Sequence, residues 1–157
     1  MEIRKRFAIT QFMSYRPYET RDLVGVVDIF RSNIPKYFDP GEEAGLRDFL
    51  AEFSDNYFVG ELDGQVVGAG GVVLNDEQTI SLCWGMVRSD HLGTGLGRDL
   101  TQFRIEKARE NFGNLPLVIS TSQHTRGFYE RFGFRLLEHV PDGFGPGIDI
   151  CKMRLDP

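Results

Sequence analysis

Cysteine is scarce: only two of the 157 residues, and neither Cys83 nor Cys151 has a cysteine or histidine at metal-ligand spacing. Disulfide frameworks and zinc-ribbon arrangements are therefore excluded, no metal is expected, and both thiols read as small core residues. No apolar run reaches the ~18 residues of a membrane helix. Nor does an early apolar run of ~7 residues follow the basic start at Arg4, Lys5 and Arg6, so neither a span nor a secretory leader is expected, and a cytoplasmic location is. Basic residues are outnumbered 18 to 23, giving a formal net charge of -5. A nucleic-acid surface wants a basic stripe, which this balance does not supply. Repeats and low-complexity tracts are missing as well. What is present is 41% hydrophobic residues, enough for one domain over 1–157. A chain of this length buries about two-thirds of the surface that it exposes unfolded.

The most informative stretch runs from Met86 and Val87 through Arg88, Leu92, Gly93, Thr94, Gly95, Leu96, Gly97 and Arg98. An apolar strand there passes through a glycine-rich turn directly into an amphipathic helix. Glycines let such a turn take unusual dihedrals and bring backbone amides close to a ligand. The first amides of the helix have no internal partner and sit at the positive end of its dipole, so a pyrophosphate fits. Arg98, in the first helical turn, opposes that dipole unless an anion lies nearby. A Walker loop requires Lys then Ser or Thr after its last glycine, whereas Arg98 and Asp99 follow here. A dinucleotide fingerprint requires a later glycine and a distant acid, and the corresponding positions hold Arg98 and the apolar segment around Leu117. A coenzyme A pyrophosphate loop is the third reading.

At these residues the chain resembles the GNAT superfamily of N-acetyltransferases. Its acyl-CoA signature is Gln or Arg, two residues, Gly, one residue, then Gly or Ala. Laid on this sequence it covers 92–97, with Gly95 and Gly97 matching and Leu92 standing where the basic residue belongs. Arg98 or Arg88 would then supply the charge. A second match is Ser122-Gln123-His124-Thr125-Arg126-Gly127-Phe128-Tyr129-Glu130-Arg131-Phe132-Gly133-Phe134. It is similar to the family's late helix-turn-strand segment of tyrosine, glutamate, a basic residue, an apolar residue and Gly-Phe.

The order of elements agrees with that resemblance. Residues 7–13 read as a first strand, and Thr20 as the N-cap of a helix with Leu23, Val26, Val27 and Phe30 at i, i+3, i+4 and i+7. A second helix carries Leu46, Phe49, Leu50 and Phe53 on one side. Residues 57–62 and 65–74 read as a hairpin closed by Asp63-Gly64, and 79–87 as the strand feeding the glycine turn. A helix over 95–111, a buried strand over 117–120, a short helix over 125–132 stopped by Gly133, and a final hairpin of 134–140 and 148–155 follow. The breaker-rich 141–147 is read as a long connection. The expected fold is one α/β (α+β) GNAT-like domain. Its mixed, mostly antiparallel seven-stranded sheet is flanked by helices in the order β-α-α-β-β-β-α-β-α-β-β.

The resemblance implies that residues 84–87, Met86 and Val87 among them, offer backbone to pantetheine and to the acetyl carbonyl. Residues 93–98 would hold the pyrophosphate, with Leu92 and Ser122 also at the cofactor, and acetyl-CoA would be the cosubstrate. Tyr129 corresponds to the general acid that protonates the departing thiolate. A free phenol is a weaker acid than a thiol, so its surroundings must help, and the N-terminus of the short helix is the nearest aid. The base is open: Glu61 is the first candidate, Asp76 or Glu77 could act through water, and His124 is another. The acceptor would enter at 33–55, where Asp39, Glu42, Glu43 and Asp48 mix with Tyr37, Phe38 and Phe49, which suits an amine with an apolar body. The expected activity is direct transfer of an acetyl or short acyl group to a primary amine of a small molecule or peptide in a ternary complex. A non-catalytic acyl-CoA-binding sensory module is the alternative. A homodimer fits either reading; no nucleic acid or membrane partner is expected.

Overall fold

A computed structural model describes residues 12–76 and 78–157. The strands are β1 (Ser14–Pro17), β2 (Tyr57–Leu62), β3 (Gln65–Asn75), β4 (Thr79–Val87), β5 (Leu117–Thr121), β6 (Arg135–Gly145) and β7 (Ile148–Leu155). The helices are α1 (Leu23–Ser32), α2 (Glu43–Glu52), α3 (Leu96–Phe112) and α4 (Arg126–Glu130), joined by single turns of 3-10 helix. One sheet runs β1-β2-β3-β4-β5-β7-β6, and every neighbouring pair is antiparallel except β4 and β5. This is the succession that the sequence predicts.

Alternation and periodicity place the two faces. Val26, Val27, Ile29 and Phe30 of α1 and Leu46 and Leu50 of α2 close on Tyr57, Val59, Ala69 and Met86 of the sheet. On the other side Ile105 and Ala108 of α3 and Tyr129 of α4 close on Val72, Ile80, Leu82, Leu117, Ile119, Cys151 and Met153. Each Val, Leu, Ile, Phe or Met side chain among them contributes about 1.5–3 kcal/mol on burial. Asp63 and Gly64 join β2 to β3 with φ of 50° and 80°. Two left-handed residues give a turn whose twist matches that of the flanking strands.

Four expectations need correction or relocation. Of the strand expected over 7–13, residues 7–11 lie outside the described residues. Among the described residues the sheet opens at Ser14, where pairing with Glu61 to Phe58 of β2 fixes the register. The cap before α1 is one residue earlier than Thr20: Glu19 is extended, and its amide donates to Asp22 Oδ2 at 2.9 Å. Arg16 donates to both Asp22 oxygens at 2.8 Å and so holds that carboxyl below the usual range. The short helix is only five residues, 126–130. The breaker-rich 141–147 is largely strand, since β7 remains alongside and pairing resumes at Gly145 and Ile148. Asp149 Oδ1 there accepts from the Asp142 amide at 2.9 Å, satisfying a backbone donor at the irregularity.

Candidate active site

Strands β4 and β5 pair only at Ile80 with Leu117 and at Ser81 with Val118, and then part. Beyond that point their facing edges, residues 82–87 and 119–122, line a cavity of about 950 Å³. A strand edge without its neighbour leaves amides and carbonyls for a ligand, as buried backbone groups require partners. The cavity is thus a product of sheet topology.

At one end lies the glycine turn. Gly93 and Gly95 have φ of 78° and 89°, a region that side-chain-bearing residues rarely enter, and nothing else crowds either position. The Asp99 amide makes the first helical bond, to Gly95 O at 3.1 Å. The amides of Leu96, Gly97 and Arg98 precede it, as the first turn of any helix demands. Gly93, Gly95, Gly97, Arg98, Leu92, Met86, Val87, Ser122 and Tyr129 all lie on the cavity wall. Leu96 points into the core, fully buried, and Thr94 turns its hydroxyl back to the His91 carbonyl. Neither side chain joins the wall. Arg88 is engaged by Asp90 at 2.8 Å, which leaves Arg98 as the cation of the turn that reaches the cavity.

The floor is a bulge. Ala69 pairs with Met86 and Gly71 with Cys83, so Trp84 and Gly85 together oppose Gly70. Trp84 takes φ of 44°, its carbonyl accepts from the Tyr57 hydroxyl at 2.9 Å, and its ring stacks on Phe38 at 5.9 Å. Under the bulge, on the α3 side, lies Arg104, 1% exposed. Its Nη2 donates to the Tyr129 hydroxyl at 2.9 Å, while Nε and Nη1 have no partner among the described residues. A Cβ on Gly85 would stand 2.5 Å from the guanidinium carbon, and one on Gly70 2.8 Å from Arg104 Cδ. Sequence reading does not single out Arg104. The usable signal is its spacing of four from Leu100 and Ala108, both buried, which puts it on their inward line.

The wall also carries Tyr37, Phe38, Glu42, Trp84 and His124, with Tyr37 and His124 edge to face at 6.1 Å. Glu42 is the one carboxylate on the wall among the described residues. Burial pushes its carboxyl upward, though Oε2 accepts from the Asp39 amide at 2.9 Å. Glu61 does not join the site: it lies on β2 beside Arg16, 3.4 Å away, because strand alternation and the salt bridge turn it from the cavity. Asp76 lies in a separate shallow groove, and Glu77 lies outside the described residues. Burial raises the Cys83 thiol to about 11, which keeps it protonated although it lines the cavity. No group of three His, Cys, Asp or Glu side chains suited to a metal occurs among the described residues, and none of their helices is long and apolar enough to cross a membrane.

Known proteins resemble the chain in sequence and in fold. The sequence profile of the acetyltransferase (GNAT) family matches residues 26–134. Blasticidin-S acetyltransferase of Streptomyces morookaense is 37% identical over 90 residues, 57% of this chain and 62% of the relative. The chain therefore spans somewhat less than two thirds of that relative's length. A GNAT-family protein from Desulfovibrio desulfuricans superposes with a TM-score of 0.72 at 26% identity, over 92% of this chain and 98% of the other. A GNAT family acetyltransferase from Elizabethkingia anophelis, solved with acetyl-CoA bound, has the same fold at 15% identity, with a TM-score of 0.73 over 92% and 98%. With more than half of its length inside the profile, the chain belongs to the acetyltransferase (GNAT) family.

Proposed function

We propose that this protein transfers an acetyl or short acyl group from acetyl-CoA to a primary amine of a small molecule or peptide, by direct attack in a ternary complex. One observation carries the reading: a single cavity joins the glycine turn, the parted edges of β4 and β5, Tyr129 and Glu42. Residues 93–98 would hold the pyrophosphate through backbone amides, with Arg98 adding charge. Met86 and Val87 would meet pantetheine along the open edge of β4, and Ser122 would face it from just beyond β5.

The chemistry divides between Glu42 and Tyr129. Glu42 replaces Glu61 as the proposed base, since it is on the wall and burial makes it a better proton acceptor than an ordinary glutamate. An amine arrives mostly protonated and must lose a proton before attack. As the nitrogen bonds to the thioester carbon and the carbon–sulfur bond breaks, Tyr129 gives its proton to the sulfur. A covalent relay through Cys83 finds no support, since burial disfavours its thiolate. Tyr37, Phe38 and Trp84 around Glu42 suit a cationic amine carried on a flat or apolar body.

The test is release of free thiol from acetyl-CoA against a panel of blasticidin S, arylalkyl amines, polyamines and peptide N-termini. Acceptor-dependent turnover with at least one amine is expected. Calorimetric binding of acetyl-CoA with no turnover for any amine would favour the sensory module, and turnover only with alcohols would make it an O-acyltransferase.

A further inference from the structure

We propose that Arg104 is a positioning residue for acyl transfer: its guanidinium aims the Tyr129 hydroxyl into the cavity and faces the charge left on that oxygen when the proton departs. This rests on the reading of Tyr129 as the proton donor.

A guanidinium keeps its charge under all ordinary conditions and is rarely buried without compensation. Arg104 is buried nonetheless, on a helix line where Leu100 and Ala108 show that an apolar residue would fit. Its surroundings are cut to admit it. Gly70 and Gly85, on two different strands, are the positions whose Cβ atoms would collide with its stem and its head. Tyr129 is 7% exposed, and its ring is fixed edge-on against Phe128 at 5.1 Å and Phe134 at 5.7 Å. The ring therefore has one place to put its oxygen. Arg104 Nη2 donates to that oxygen at 2.9 Å and occupies one lone pair, so the hydroxyl proton must point elsewhere. The direction left open is the cavity that Tyr129 lines. The same Nη2 lies 3.5 Å from the Thr101 hydroxyl, which donates to Gly97 O at 2.9 Å, so α3 links the acid to the glycine turn.

The five-residue α4 is too short for its own N-terminus to be the main aid to the phenol. The guanidinium serves instead. When sulfur takes the Tyr129 proton, the phenolate faces a fixed positive charge in a poorly hydrated setting, where such preorganised charge is most effective. The nitrogen of the ammonium loses two protons, one to Glu42 before attack and one as the amide forms; one of them restores Tyr129 through solvent on product release and the other leaves to solvent, so the cycle closes without other reagents.

The experiment is a double-mutant cycle on kcat and on KM for acetyl-CoA, using the best amine of the panel. Arg104→Met, of similar length and uncharged, is expected to lower kcat by ~10- to 100-fold, at or below the lower limit of a full general-acid contribution, with KM for acetyl-CoA unchanged within about 2-fold. Arg104→Lys should recover part of the loss. Gly85→Ala, which pushes the head aside without removing it, should reproduce the loss. In a Tyr129→Phe background, Arg104→Met should cost less than about 2-fold more, since the two act as a unit. Equal loss with and without the Tyr129 hydroxyl, or a loss confined to KM, would overturn the proposal and leave the acid assignment standing. Wild-type turnover in Tyr129→Phe would instead remove the acid assignment, and this proposal with it. Should Arg104→Met fail to fold, the cycle of Gly85→Ala with Tyr129→Phe decides by the same criteria.

Discussion

Two parts of the cavity wall are made of different material. Residues 93–98, proposed to hold the cofactor, are main chain: left-handed glycines and the free amides that open α3. The part proposed to take the acceptor and supply the acid is side chain, with Glu42, Tyr37, Trp84 and Tyr129 brought together from three segments, the α1–α2 connection, β4 and α4. A backbone site is written in consecutive letters and depends on dihedrals. A side-chain site depends on tertiary structure and can change its acceptor without disturbing the grip on the cosubstrate.

Breaking the side-chain part should produce the largest effect. Glu42→Gln retains an oxygen to accept from the Asp39 amide but loses the base, so kcat/KM for the amine should fall ~100-fold. Burial raises the Glu42 carboxyl, hence its basic form is lost at a higher pH than for an ordinary glutamate as pH falls. The acidic limb of the wild-type pH–rate profile should accordingly lie above the usual carboxylate range and vanish in the variant. A limb at the ordinary position in both proteins would dismiss Glu42.

Breaking the main-chain part should act through conformation. Gly95 sits at φ 89° with open space around it, so Gly95→Ala meets no clash yet is strained, by about 1–2 kcal/mol. Its Tm should drop by several degrees and acetyl-CoA binding should weaken, both readable by calorimetry. The smallest effect sharpens the contrast. Gly97 has an ordinary helical φ, and an added Cβ would meet only the Phe128 ring at 3.9 Å. Gly97→Ala should leave stability unchanged or raise it by up to ~1 kcal/mol, since alanine is the better helix residue. Equal destabilisation by both alanines would refute the dihedral account of the turn.

The same division explains what could be read from the letters. The hairpin at Asp63-Gly64, the glycine turn and the order of elements rest on local chemistry and hold in the structure. The β4–β5 gap has no local signal, because no pattern in consecutive letters reports where two parallel strands part. Arg104 was missed because a charge on a helix is ordinarily solvated, and the two glycines that make room for it lie on other strands. Glu61 was favoured for its place on the preceding hairpin, but Arg16 on the neighbouring strand and the alternation of β2 direct it elsewhere. Residues 141–147 read as breakers, yet β6 runs on to Gly145 through an irregularity with Asp142 at φ 55°, and its pairing with β7 resumes there. In each miss a distant segment outweighed the local pattern.

The most direct test of the account is a titration of the ¹⁵N-labelled protein with coenzyme A, followed through its backbone amide resonances. The largest shifts should fall on Gly93 to Arg98 and on Met86 and Val87, with residues of β6 away from the cavity unmoved. Largest shifts outside the gap between β4 and β5, or no shifts at all, would contradict it.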